Sequence, residues 1–140
     1  MKTLSMILTL VACVLGALVA FAPDQAYSAE VESGDWKVGR VYYRFVCTSC
    51  HQDVAGHVIS PNEMTKAEWR AYLDADAHDK SGRTEPAVSY YSSQAYRMSI
   101  KDTNKAAAKF IDVPDSGMAA NIRAWAIYGA KDSDTASSCQ

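Results

Sequence analysis

Apolar residues open this chain in one block and afterwards recur in short periodic runs. From Leu4 to Ala22 the sequence is almost unbroken apolar, with only Ser5, Thr9 and Gly16 as small interruptions, and it ends at Asp24 and Gln25. A basic start at Lys2, an apolar middle and the small-x-small triplet Ala26-Tyr27-Ser28 make the pattern of a secretory signal. The expectation is a signal over 1–28 and a mature domain over 29–140 that ends in a short flexible tail. Two other readings of the block stand beside it. At about 19 residues it is long enough to stay as a membrane anchor. Leu10-Val11-Ala12-Cys13 also has the form of a lipoprotein box, although the sequence after Cys13 remains apolar.

Beyond the block the pattern is helical. Val38, Val41, Tyr42 and Phe45 recur at helical spacing and predict a helix over 37–46. The stretch 52–63 reads as a loop punctuated by Gly56 and Pro61. Thr65-Lys66-Ala67-Glu68 is a capping box that opens a second helix, running to about residue 77 with Trp69, Tyr72 and Leu73 as its buried stripe. Asp74, Asp76 and Asp79 read as a solvated face. From 80 to 97 no period is clear; Gly82, Pro86, several serines and Tyr90, Tyr91 and Tyr96 predict a long irregular segment of the kind that usually serves function. A short helix follows near 104–111 and stops before Pro114. Asp115 or Ser116 is expected to cap the last helix, which carries Met118, Ile122 and Trp125 on one stripe and stops at Gly129. Every predicted element is helical, so the expected class is all-α.

Length and charge narrow the picture. The chain has 140 residues, the size of one domain, and 14 Lys+Arg against 16 Asp+Glu give a net charge of −2. No basic field is available to hold nucleic acid. Among four cysteines and three histidines, one grouping carries chemistry: Cys47-Thr48-Ser49-Cys50-His51. C-x-x-C-H is the attachment signature of c-type haem. Two thiols at this spacing reach the two vinyl groups on one porphyrin edge, and the next residue, His51, places its imidazole under the ring as the proximal iron ligand. Export agrees with this, because bacterial c-haem is attached outside the cytoplasmic membrane. Two other chemistries use part of the motif. A dithiol redox pair would need only Cys47 and Cys50, but no βαβ pattern surrounds them. A zinc site needs four ligands, and no second C-x-x-C or paired His is present. No spacing groups Ser, His and Asp as a catalytic triad.

Gly39 and Tyr43 precede the motif on one helical face, and Trp125 sits on the last helix. In these residues the chain resembles the class I cytochrome c family, in which a Gly and an aromatic ahead of the haem motif pack against an aromatic of the last helix. The resemblance covers the first helix, the haem motif and the last helix. It implies a small helical domain wrapped around one covalent haem c, with Tyr43 and Trp125 packing at the haem edge. It also implies a periplasmic single-electron carrier, not an enzyme, serving larger redox proteins through a local patch at the haem edge. The distal ligand departs from the family, since no Met-Pro loop lies ahead of the last helix. The candidates are Met64, Met98, Met118, His57 and His78. Met118 reads as core, Met64 as a staple, and His57 lies too near His51 in sequence to reach the opposite face. Met98 follows His51 at the family's usual chain distance and is the first candidate. His78 is the alternative, because the chain also resembles a looser group of small single-haem bacterial cytochromes with a Trp-bearing helix closing near a His and an Asp-Ser-Asp tail before a terminal Cys. Here these are Trp69, His78, Asp132-Ser133-Asp134 and Cys139.

Cys139 has no internal partner once Cys47 and Cys50 hold haem, so it is expected as a free tail thiol on a monomer, or as the link of a disulfide dimer. Two other functions remain open at this point. With an iron position left free, the protein would be a haem-based ligand binder or sensor, or a minor peroxidase. Without haem, it would be a zinc-stabilised structural domain.

Overall fold

The computed structural model describes residues 33–52, 56, 58–76, 78–79 and 87–136. The expected signal over 1–28 with Cys13, and His57 and Cys139, lie outside the described residues, as do Ala77 and 80–86. The described elements are α1 (Trp36–Tyr42), a π-helical turn (Tyr43–Cys47), α2 (Thr48–Cys50), a 3-10 turn (Pro61–Glu63), α3 (Lys66–Asp74), α4 (Val88–Ser92), α5 (Gln94–Ile100), α6 (Lys105–Lys109) and α7 (Asp115–Tyr128). No strand occurs among the described residues. The all-α expectation is met at the level of class.

Four helices begin where a side chain supplies an acceptor for free N–H groups, whereas α7 follows Pro114 with no side-chain cap, so the cap expected at Asp115 or Ser116 does not form. The Asp35 carboxylate accepts from the N–H of Lys37 at 2.8 Å and of Val38 at 3.3 Å, which starts α1 one residue before the predicted helix. At α3 the capping box forms as predicted. The Thr65 hydroxyl accepts from the Glu68 N–H at 3.2 Å, and the Glu68 carboxylate accepts from the Thr65 N–H at 2.7 Å. Ser93 caps α5 and Asn104 caps α6 in the same way. The segment from 87 to 97 departs from the irregular course predicted for it. It forms α4 and most of α5, separated by Ser93 in extended backbone. The helices are too short to show a period, and serines that read as loop residues act here as caps and breaks.

The core is split. One cluster gathers Tyr42, Val46, Ala107, Met118 and Ile122, with Phe110 and Val113 packed against it. The other gathers Ile59, Met64, Trp69, Ala126 and Ala130, with Tyr72 and Leu73 beside it. α7 belongs to both: its first half supplies Met118 and Ile122, and its second half supplies Ala126. The closest helix pair is α1 against α7. A Cβ on Gly39 would stand 1.9 Å from the Asn121 carbonyl oxygen, so only glycine allows this crossing. The Asn121 side chain adds a hydrogen bond, accepting from the Asp35 N–H at 2.7 Å.

Candidate functional site

An apolar cleft lies between the two clusters, with α7 on its floor. Its empty space is about 810 Å³ with the solvent at its open mouth included. Val46, Cys47, Tyr96 and Ile122 line it from the first cluster's side, and Ile59, Trp69, Tyr72, Leu73 and Ala126 from the second. Cys50, His51, His78, Tyr91 and Trp125 complete the wall.

The motif residues reach the cleft through an irregularity in the first helix. α1 widens into the π turn, where the Thr48 N–H bonds to the Tyr43 carbonyl five residues back. The extra residue shifts the register just ahead of Cys47, and π turns of this kind concentrate at functional sites. As a result, Tyr42 and Tyr43 are both buried but serve different places. Tyr42 packs its ring edge-on against Phe110, with centroids 5.6 Å apart, and donates its hydroxyl to the Tyr91 carbonyl at 2.6 Å. Tyr43 faces the cleft, donates to the Ile59 carbonyl and stands edge-on to the His51 ring at 6.3 Å.

Cys47 and Cys50 are both partly buried free thiols. Burial pushes the Cys47 thiol up to about 12, with the neighbouring Cys50 adding to the effect. Burial likewise pushes Tyr96 up to about 12, with the two thiols contributing. Both groups are therefore neutral at physiological pH.

The sequence candidates separate clearly. His51 and His78 face each other, with Nε2 to Nε2 at 3.5 Å and ring centroids 5.7 Å apart. Burial lowers the His78 pKa, against a smaller opposing effect of Asp79, and so favours the neutral imidazole that carries a free lone pair. Met98 is elsewhere. It is 45% exposed on α5, outside the cleft, while Tyr96 and Arg97 of the same helix turn inward. Met64 and Met118 are core residues, one in each cluster. Trp125 lines the cleft and stacks beside Trp36 of α1, with ring centroids 6.3 Å apart. The aspartates of the predicted solvated face act singly. Asp74 pairs with Arg123 at 2.8 Å, and no group of three or more His, Cys, Asp or Glu residues able to hold a metal ion occurs among the described residues.

His78 is placed from both sides. Asp76 takes a left-handed backbone conformation at φ 49° and turns the chain after α3. Its carboxylate then accepts from the Ser89 N–H at 2.7 Å and the Ser89 hydroxyl at 2.6 Å, tying the end of α3 to α4. The next turn of α4 brings the Tyr91 ring to 4.6 Å from His78. Sequence reasoning assigned tyrosines of this segment to a haem edge but did not single out Tyr91, nor recognise Asp76 as an anchor.

The two imidazoles are donors of a kind that would suit a metal ion held between them. Two imidazoles joined through one ion at metal–nitrogen bonds of about 2 Å would need their nitrogens about 4 Å apart, and these stand at 3.5 Å. The Trp125 indole N–H is buried without a hydrogen-bond partner among the described residues. An unpaired buried donor costs about 1–3 kcal/mol, and a polar substituent brought into the cleft would offset that. No family model, curated protein or solved structure matches the chain.

Proposed function

We propose that the protein is an exported single-electron carrier holding one c-type haem. Cys47 and Cys50 would form the thioethers, and His51 and His78 would be the axial iron ligands. The observation that carries this reading is the pair of imidazoles facing across an apolar cleft beside two thiols at C-x-x-C-H spacing. When bound, haem supplies a one-electron couple, whose potential is lower with two imidazoles than with an imidazole and a thioether.

The chain's own residues do the rest. Burial lowers the His78 pKa and so favours its neutral imidazole. The Asp76–Ser89 contact fixes the turn that carries it. The Tyr43 hydroxyl, donating to the Ile59 carbonyl, holds the loop wall against the first helix. The apolar walls would exclude water from a bound ring, which would favour the less charged form of its metal centre. Donor and acceptor would be larger redox proteins, with nucleic acid playing no part. Export rests on the N-terminal pattern; no helix among the described residues is long and apolar enough to cross a membrane.

Pyridine haemochrome analysis and an electron paramagnetic resonance spectrum of the oxidised, haem-loaded protein test the proposal together. A c-type haemochrome and a low-spin spectrum typical of two imidazoles are expected. Failure to take up haem would remove the reading. Rapid, complete carbon monoxide binding by the reduced protein at neutral pH would replace it with an open iron position, and so with a ligand binder or minor peroxidase.

A further inference from the structure

Three cations, Lys37, Arg40 and Arg44, stand along α1 and the π turn with no ion-pair partner among the described residues, and the stretch 36–52 contains no Asp or Glu. Each lies instead over an aromatic ring: Lys37 is 5.7 Å from the Trp36 centroid, Arg40 is 5.8 Å from Trp125, and Arg44 is 5.5 Å from Phe45. With Val41 and Phe45, which are 42% and 53% exposed, these residues line one shallow groove. The flanking acid, Asp35, directs its carboxylate to the first N–H groups of α1.

We propose that this groove is the docking face for a redox protein that presents an acidic surface. The proposal rests on the electron-carrier reading. The first support is charge complementarity: the whole protein carries −2, yet every charged residue that lines the groove among the described residues is a cation. The second is position. The π turn that bears Arg44 and Phe45 ends at Cys47, and Arg40 lies over Trp125, which lines the cleft. A partner seated here would be one layer of side chains from the haem cleft. The third is composition, an exposed apolar centre of Val41 and Phe45 with a charged rim, which is how transient protein interfaces are built. A second copy of this chain fits poorly, because a two-fold interface would set the three cations against the same three. A lipid surface also fits less well, since α1 has 7 residues and a membrane-surface helix needs a longer apolar face.

The test uses the haem-loaded protein, an acidic, dithionite-reduced flavodoxin as donor, and stopped-flow rates as ionic strength rises from about 0.01 M to about 0.15 M, where the screening length falls from about 30 Å to about 8 Å. Both proteins carry net negative charge, so net charges alone predict a rate that rises with salt. Docking through the groove predicts a rate that falls. Arg44→Glu should lower the low-salt rate about tenfold and abolish the fall, and Lys37→Gln with Arg44→Gln should lower it in the same direction. Lys66→Glu, which makes the same net-charge change on α3, should leave it within twofold of the parent. A rate that rises with salt, or an equal effect of Arg44→Glu and Lys66→Glu, overturns the docking face while the loaded protein keeps its haemochrome and its direct reduction by dithionite. Loss of haem uptake or of any one-electron couple in the parent protein removes the carrier reading, and the docking face falls with it. Co-sedimentation with phosphatidylglycerol vesicles that depends on Arg44, without an Arg44-dependent flavodoxin rate, would assign the groove to a lipid surface and also overturn it.

Discussion

His78 and Met98 differ in what surrounds them, and that difference sets the expected behaviour of their variants. His78 has a half-buried ring beside Tyr91 and an anchored turn before it; Met98 projects from α5 at 45% exposure. Met98→Leu should therefore leave the absorption and magnetic resonance spectra of the oxidised, loaded protein unchanged. His78→Ala should convert the iron from low to high spin and open a position that takes up added imidazole. A spectrum altered by Met98→Leu and not by His78→Ala would reverse the assignment. Chain distance alone ranked Met98 above His78, because distance along a chain carries no information about which way a helix faces. The residues that decide the matter are local ones, Asp76 in its left-handed turn and Ser89 receiving it, and neither stands out in the sequence from other Asp and Ser residues. Cys47, Cys50 and His51 stand out in the sequence because the proposed bonding to one ring edge would constrain their spacing, whatever fold surrounds them.

At the scale of elements, the structure depends on two devices that the sequence shows plainly and one that it hides. The capping box is visible as Thr65-x-x-Glu68. The backbone N–H of Thr65, then its hydroxyl and then Lys131 hold the exposed Glu68 carboxyl down at about 2, against an ordinary value of 4.5. A carboxylate depressed in the folded state contributes stability that is present above about 4.5 and is lost as pH falls toward about 2. The parent protein's melting temperature should thus fall more over that interval than that of Glu68→Gln. Thr65→Ala should cost about 1 kcal/mol at neutral pH, as measured by denaturant unfolding. The second visible device is Gly39 on the face of α1 that meets α7. Gly39→Ala would drive a methyl group into the Asn121 backbone and should destabilise the fold by about 3 kcal/mol, the upper end of overpacking costs. The hidden device is the π turn. A periodicity reading carries the 3.6-residue repeat straight through Tyr43–Cys47, whereas the structure inserts a residue there and so buries Tyr42 in the core and Tyr43 in the cleft. The short helices α4 and α5, of 5 and 7 residues, were hidden for a related reason: two turns of helix or fewer cannot show a repeat.

For the whole molecule, the division of the core into two clusters has consequences for order. α1, the π turn, α6 and the first half of α7 close one cluster around Tyr42, Val46 and Met118, and the Gly39 crossing locks α1 to α7 directly. The second cluster, around Trp69 and Met64, meets the first chiefly through α7 and across the cleft. Its ties to the rest are polar and mostly exposed, including Arg123 with Asp74, the Lys66 N–H with Asp132 at 2.8 Å, and Lys131 with Glu68 at 3.2 Å. Exposed pairs of this kind contribute about 0–1 kcal/mol each. Packing across the cleft is the larger resource, and it becomes available when an apolar ring touches both walls. Local opening free energies should follow this division. In the haem-free protein, amides of α1 and of α7 around Ile122 should exchange slowly, while those of α3 and α4 exchange faster. Loading with haem should slow α3 and α4 by at least about tenfold and change α1 little. Hydrogen exchange followed by mass spectrometry checks this on both forms. Uniform slowing across all helices on loading would show that the two clusters already open as one unit without the ring. No change at α3 and α4 would show that the ring does not span the cleft, and would count against His78 as its second ligand.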